Sequence, residues 1–216
     1  MSSPVKRQYR SELRSAQART TCRLIVEAAE RLFAQRGYGA TTIEAVATEA
    51  GVSRKTVFTA IGGKAEILKL AIDWAIAGDD EPIALQERPE VDRLLRADDP
   101  DALLNGWATV LVEIDTRVAA LWQALDIAAG VDPQARELHQ QLADQRLTSA
   151  RTVVDRLAEL GALRKDLSHA EARDIAWLAS DPVLFDRLVR QRRWAAIRFE
   201  RWLASHLVSE LLGRTT

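Results

Sequence analysis

The sequence has little of what builds disulfide scaffolds, β-structure or catalytic centres. It holds a single cysteine, Cys22, among 216 residues, which excludes an internal disulfide and any cysteine-rich metal site. A lone thiol of this kind reads as a small helix residue. Proline is scarce, six in all, and each lies near an apparent boundary between elements. No stretch approaches the roughly 18 apolar residues of a membrane span. The opening Met1 to Arg19 is polar and basic, without the apolar segment of a signal peptide. A cytoplasmic protein with no membrane partner is therefore expected. There is no period-two run of β-branched residues and no Asn-Gly hairpin, so strands are not expected. His139, His169 and His206 are scattered without metal-ligand spacing. No Gly-rich phosphate loop and no nucleophile motif occurs. The acidic pairs Asp79-Asp80 and Asp98-Asp99 look like solvated caps. An enzyme is not expected, and neither a metal nor a cofactor is implied.

What is present is ordinary in bulk and uneven in detail. Hydrophobic residues make up 47% and charged residues 28%, the composition of a globular protein of one large or two small domains. The net charge of −1 conceals an asymmetry. Residues 1–64 carry eleven cations (Lys6, Arg7, Arg10, Arg14, Arg19, Arg23, Arg31, Arg36, Arg54, Lys55, Lys64) against five acids (Glu12, Glu27, Glu30, Glu44, Glu49). That end is therefore +6 and the rest −7. A basic end on an acidic protein points to a polyanion partner, although a solvated basic tail gives the same balance.

Helix signals recur along the chain. Leu24, Ile25, Ala28, Ala29, Leu32 and Phe33 repeat at the spacing of one helical face, predicting a helix over about 20–36 that ends at Gly37. Thr41-Thr42-Ile43-Glu44 reads as a capping box that opens a second helix, which ends at Gly51. Ser53 caps a third, from Arg54 to about Ala60. Gly62-Gly63 breaks it, and Lys64 opens a fourth that runs to about Ala77. Residues 78–100, acidic and proline-containing, read as a long connection with at most one short helix. Long helices follow over about 101–129 and from Asp132-Pro133 to Leu160. Ser168-His169-Ala170-Glu171 is another capping box, Asp181-Pro182 a kink or restart, and a last helix covers about 194–212. The fold expected is all-α, with a basic arm (1–19), an N-terminal helical domain (20–77), the connection (78–100) and a C-terminal helical domain (101–216).

The informative segment is 42–61. Ala47 is small enough for two short helices to cross closely. Gly51, four residues on, can take the positive φ that a tight turn between them demands. Val46, Val52, Val57 and Ile61 supply a shared apolar seam. This is the helix-turn-helix pattern. It leaves Ser53, Arg54, Lys55, Thr56, Phe58 and Thr59 on or near the outer face of the third helix, groups that suit base edges and phosphates in a major groove. The helix N-termini at Thr42 and Lys64 can receive phosphates.

Several stretches also resemble the tetracycline-repressor (TetR) family: Ala28-Ala29-Glu30-Arg31-Leu32-Phe33, Arg36-Gly37-Tyr38-Gly39-Ala40-Thr41-Thr42, Ala50-Gly51-Val52-Ser53, and Lys64 with Glu66-Ile67-Leu68. The resemblance covers residues 20–77. It implies a DNA-binding regulator whose third helix reads the groove, with contacts from Thr42, Arg54, Lys55, Thr56, Phe58, Thr59 and Lys64. It also implies a C-terminal domain that dimerises and usually binds a small molecule. Phe58 stands where the family usually carries a phosphate-contacting Tyr, Ala60-Ile61 replaces its His-Phe pair, and Gly62-Gly63 precedes Lys64.

Five of the six tryptophans lie beyond residue 100. Trp107 and Trp122, about four turns apart, share a helix face. With Leu111, Trp177 and Phe185 they are candidates to line a cavity for an apolar or aromatic ligand, plain core packing being the alternative. The final helix is apolar on more than one face, and Ile197, Trp202, Leu203, Leu207 and Leu211 are candidates for a homodimer seam. The function expected is a ligand-responsive repressor that binds a palindromic operator in double-stranded DNA as a dimer. The alternative is a helical dimeric interaction protein without sequence-specific DNA binding.

Overall fold

Aspartate–proline steps organise the second half of the chain. The computed structural model describes residues 4–81, 83 and 85–213, with the side chains of residues 4–15 and 86 outside that description. Asp99, Asp132 and Asp181 each accept a backbone amide as N-cap, and the proline that follows opens the helix: α6 (Pro100–Ala129), α7 (Pro133–Glu159) and α9 (Pro182–Phe185). Proline suits the first helical position because its missing N–H has no partner there in any case. Between α7 and α9 lies α8 (His169–Ala179), which opens on the expected capping box of Ser168 and Glu171. After α9 a wide π-type turn, Asp186–Gln191, leads to α10 (Ala196–Leu212). Trp194 thus falls just before α10.

The N-terminal half starts with α1 (Pro4–Ala40), much longer than the segment expected from about 20. Nothing between Pro4 and Gly37 is proline or glycine, so nothing stops the helix from propagating through the basic arm. The side chains of Lys6, Arg7, Arg10 and Arg14 fall outside the described residues. Gly37, with φ 75 and ψ 169, interrupts the helical geometry near its end. There follow α2 (Ile43–Glu49), α3 (Arg54–Ala60) and α4 (Lys64–Ala77). The connection holds a 3₁₀ turn, Leu85–Glu87, and one short helix, α5 (Pro89–Leu95). It is pinned at its start. Arg88 grips Asp79 through both guanidinium nitrogens at 2.7 Å, and Arg23 of α1 holds Asp80 at 2.7 Å.

One expected capping box does not form. Thr42, not Thr41, caps α2, accepting the Ala45 amide at 3.1 Å. Thr41 is buried and donates to the Gly37 carbonyl. That shift of one residue puts Glu44 out of register with the cap, and it pairs with Arg54 on α3 instead.

Two apolar clusters share α6. One joins Ile25, Val26 and Phe33 of α1, Val46 and Val57 of the two short helices, and Ile67, Leu68 and Ile72 of α4. It continues into Val118, Leu121 and Leu125 of α6 and Leu138 and Leu142 of α7. The other joins Leu103 and Leu104 of α6, Val153 and Leu157 of α7, Phe185, and Phe199, Leu203, Leu207 and Leu211 of α10. Leu203, Leu207 and Leu211 have no exposed surface. At i, i+4 and i+8 they form one stripe of α10, and that stripe is already occupied by this chain's own core. They are therefore not available to a dimer seam.

Candidate functional site

The helix-turn-helix closes as the small residues require. Ala47 and Val46 are buried on α2 and Val57 is buried on α3. Gly51 adopts φ 68 in the turn, a left-handed conformation that costs other residues about 1–2 kcal/mol. Ser53 caps α3, accepting the Thr56 amide at 3.0 Å.

The outer face of α3 is formed by Arg54, Lys55, Phe58 and Thr59, all exposed, with Thr56 half-buried beside them. Phe58 keeps 45% of its surface free, and the Arg54 guanidinium lies 5.4 Å from its ring centroid. Arg54 also pairs with Glu44 at 2.9 Å. The pair is exposed, so breaking it for a phosphate or base costs at most about 1 kcal/mol. Thr59 donates its hydroxyl to the Lys55 carbonyl at 2.9 Å. Thr42 and Ser53 are exposed caps at the starts of α2 and α3.

Lys64 is placed differently. Its Nζ donates to the Tyr38 carbonyl at 2.9 Å and sits 4.0 Å from the Tyr38 ring centroid. The same tyrosine reaches across to the other half of the molecule, its hydroxyl donating to Asp132 Oδ2 at 2.9 Å. Burial pushes the Tyr38 hydroxyl pKa well above its ordinary value, and the bond to Asp132 adds to that. At Asp132 burial works the other way, but the bonds from Tyr38 and from two α7 amides outweigh it and hold the carboxyl below its usual range. A second strap joins the halves at the far end of α4, where Arg117 of α6 donates to the carbonyls of Ala75 (2.6 Å) and Ile76 (3.2 Å).

A cavity of about 630 Å³ lies between α4, the connection, α6 and α7, within the size range of small-molecule sites. Trp107, Leu111 and Trp122 line it, and so does Trp74. Trp177 and Phe185 do not. Phe185 packs edge-on against Phe199 at 5.4 Å inside the second cluster. Trp177 lies behind the wall, with Arg146 stacked 5.3 Å from its ring and 5.0 Å from Trp122. The sequence offers both as cavity candidates because they are aromatic residues of the second half, but α8 and α9 turn them into the packing. Arg146 itself lines the cavity, together with Asp115. Burial lowers the Arg146 guanidinium pKa, an effect that its bond to Asp181 partly offsets. Burial pushes the Asp115 carboxyl up to about 8, and the Asp181 charge adds to that shift.

Neither Asp115 nor Arg146 was anticipated. The signal for Asp115 was present. It falls between Leu111 and Val118, on the buried stripe of α6 that also carries Leu104, Ala108 and Trp122. A carboxylate at such a position is out of pattern and invites a question. Arg146, on an α7 rich in charged residues, carried no comparable mark.

On α10 Ile197 is 54% exposed, whereas Trp202 is half-buried and packs against the second cluster, 5.6 Å from the Phe199 ring. Leu178 on α8 is 60% exposed. Among the described residues no group of His, Cys, Asp and Glu could hold a metal ion, and no helix is long and apolar enough to cross a membrane.

Comparison with known proteins agrees with this arrangement. Residues 25–71 match the bacterial regulatory proteins of the tetR family. No curated protein sequence matches the chain. Among solved structures, the fatty acid degradation regulator FadR from Bacillus halodurans is similar over 86% of this chain and 93% of its own, at 15% identity and a TM-score of 0.64. A protein from Saccharomonospora viridis, proposed to be a transcriptional regulator and solved with choline, is similar over 89% and 98%, at 20% identity and a TM-score of 0.64. SmeT, solved with triclosan, is similar over 89% and 91%, at 20% identity and a TM-score of 0.67.

Proposed function

We propose that this chain, which belongs to the tetR family of bacterial regulatory proteins, acts as a dimeric, ligand-responsive repressor that reads a palindromic operator through α3. The observation that carries this reading is the outer face of α3. Arg54, Lys55, Phe58 and Thr59 stand exposed together on a short helix that Val57 anchors and Ser53 caps. A helix presented in this way fits the major groove. Arg54 and Lys55 supply donors for guanine or phosphate, and the Thr59 methyl and Phe58 ring supply apolar contact. Thr42 and Lys64 flank the face. Lys64 reaches a phosphate by releasing its hold on Tyr38.

Two-fold assembly is supported by the exposed Leu178 of α8 and Ile197 of α10, with part of Trp202 also uncovered. A two-fold dimer sets two recognition helices about 34 Å apart on one face of DNA. The placement of α4 supports a ligand response. Its last two turns form part of the cavity wall through Leu70, Trp74 and Ala77, while its first turn belongs to the DNA-reading head. A molecule that fills the cavity pushes on α4 and changes the spacing of the two heads, so ligand and DNA favour different geometries of one dimer. Choline and triclosan in the two structural neighbours support a small-molecule site in this fold.

The test is selection of bound sequences from random double-stranded oligonucleotides. Enrichment of a palindrome with half-sites one helical turn apart supports the reading. Recovery of no enriched sequence favours the alternative, a helical interaction protein.

A further inference from the structure

One wall of the cavity carries a buried carboxyl group. Asp115 is 3% exposed and lines the cavity, yet it accepts no hydrogen bond from any described residue. Burying an unpaired carboxylate is costly. Arg146 offsets this cost only in part through its charge: it gives Nη2 to Asp181 at 3.0 Å, its guanidinium lies between Trp122 and Trp177, and its Nε and Nη1 are buried without an acceptor. With Asp115 ionised, the trio of Asp115, Asp181 and Arg146 has a net charge of −1. Of the other lining acids, Asp73 pairs with Lys69 and Asp80 with Arg23, Glu81 is exposed, and no second basic side chain is among the described lining residues. Trp74, Trp107 and Trp122 present aromatic surface to the same space, and aromatic faces attract cations.

We propose that the cavity selects a lipophilic monocation, a protonated amine or quaternary ammonium on an apolar or aromatic body, with its charged nitrogen against the Asp115 carboxylate. This rests on the reading of the cavity as a ligand site and names the ligand's chemical class. A neutral apolar molecule leaves the buried carboxyl without a partner. An anion placed against Asp115 meets an acid whose surroundings already carry the Asp181 charge. In the empty protein near neutral pH, Asp115 holds a proton, since burial and Asp181 push its carboxyl up to about 8. A cation that binds there takes the place of that proton: the carboxyl O–H bond breaks, the carboxylate keeps the electron pair, and H⁺ goes to solvent.

The experiment is calorimetric titration of the full chain at pH 7 in two buffers of different protonation enthalpy, with tryptophan fluorescence as a second readout. The probes are 4-phenylbutyltrimethylammonium, its uncharged isostere with a tert-butyl group in place of the trimethylammonium, and a phenylalkanoate of matching length. The cation is expected to bind at least about tenfold more tightly than the isostere and to release close to one proton per site. Asp115→Asn removes both the preference for the cation and the proton release. If that variant fails to fold, proton release by the wild-type chain still decides. Equal affinities, preference for the anion, or cation binding without proton release overturn the inference and leave the ligand site standing. Binding of none of the three also overturns it. The ligand-site reading falls as well only if a broad set of uncharged and anionic small molecules likewise leaves the tryptophan emission unchanged.

Discussion

Replacing Tyr38 by Phe removes one oxygen atom, and the surroundings of that atom set the size of the effect. The ring stays stacked on Phe33 at 5.8 Å between centroids, and the Tyr38 carbonyl still accepts Lys64. What is lost is the donor to Asp132 at 2.9 Å, the side-chain link between the DNA-reading head and the start of α7. Hydrogen bonds to charged groups contribute about 1.5–3 kcal/mol. Asp132 is only half-buried, so water can take over from the hydroxyl, and the lower end applies: about 1.5 kcal/mol. Asp132→Ala loses the same bond and also the cap on Gln134 and Ala135, which adds about 1 kcal/mol. The double variant therefore loses about 2.5 kcal/mol rather than the sum of the two single losses, a coupling energy of about 1.5 kcal/mol. Urea unfolding followed by circular dichroism, at one fixed protein concentration because assembly shifts the midpoint, measures all four corners of the cycle. Losses that add to within about 0.3 kcal/mol would refute the reasoning and mean that the head is not tied to α7 through this bond.

The remaining expectations are more compact. Asp115→Asn alters the pH dependence of stability. The folded carboxyl sits at about 8 against an ordinary 3.8, so between these values the folded state binds the extra proton and the wild type loses stability as pH rises. The two proteins should unfold alike near pH 4 and differ by up to about 5 kcal/mol above pH 8, the Asn form being the more stable; parallel profiles would contradict the burial of Asp115 beside Asp181. Leu178→Asp combined with Ile197→Asp places charges on exposed positions of α8 and α10, and sedimentation should show a monomer where the wild type is expected to sediment as a dimer; a variant that remains dimeric moves the interface elsewhere. Ser168→Ala removes the capping box of α8 and should cost about 1 kcal/mol in the same urea assay, whereas an unaltered midpoint would mean that α8 does not depend on its cap.

The helices were largely legible because their signals are local. Asp-Pro steps, Ser53, Gly51 and the Ser168/Glu171 box act within four residues of where they are read, and each one organises the chain where expected. The apolar spacing of α1 and α6 marked their buried faces equally well. Long-range geometry was the part that periodicity does not carry. Leu203, Leu207 and Leu211 look identical whether α10 meets its own core or a second copy, and only the fold shows that α6 already covers them. Trp177 and Phe185 are as aromatic as Trp107 and Trp122, but the turns at Asp181 and after Phe185 decide which of them meets the cavity. Lys64 reads as a free cation at a helix start, and its stacking on Tyr38 depends on the break at Gly37. The α2 cap shows how fine the margin is: one residue of register separates a box with Glu44 from the pairing of Glu44 with Arg54.

The central claim is that α3 reads DNA through Arg54 and Lys55, and salt-dependent binding tests it most directly. With an oligonucleotide recovered by selection, affinity is measured from 50 to 200 mM salt for the wild type and for Arg54→Ala with Lys55→Ala. Each lost phosphate contact lowers the slope of log K against log salt by about 0.9, and a lost base contact costs about 1–3 kcal/mol. The account predicts a shallower slope, by about 1 to 2, together with at least tenfold weaker binding. Affinity and slope equal to those of the wild type would contradict it.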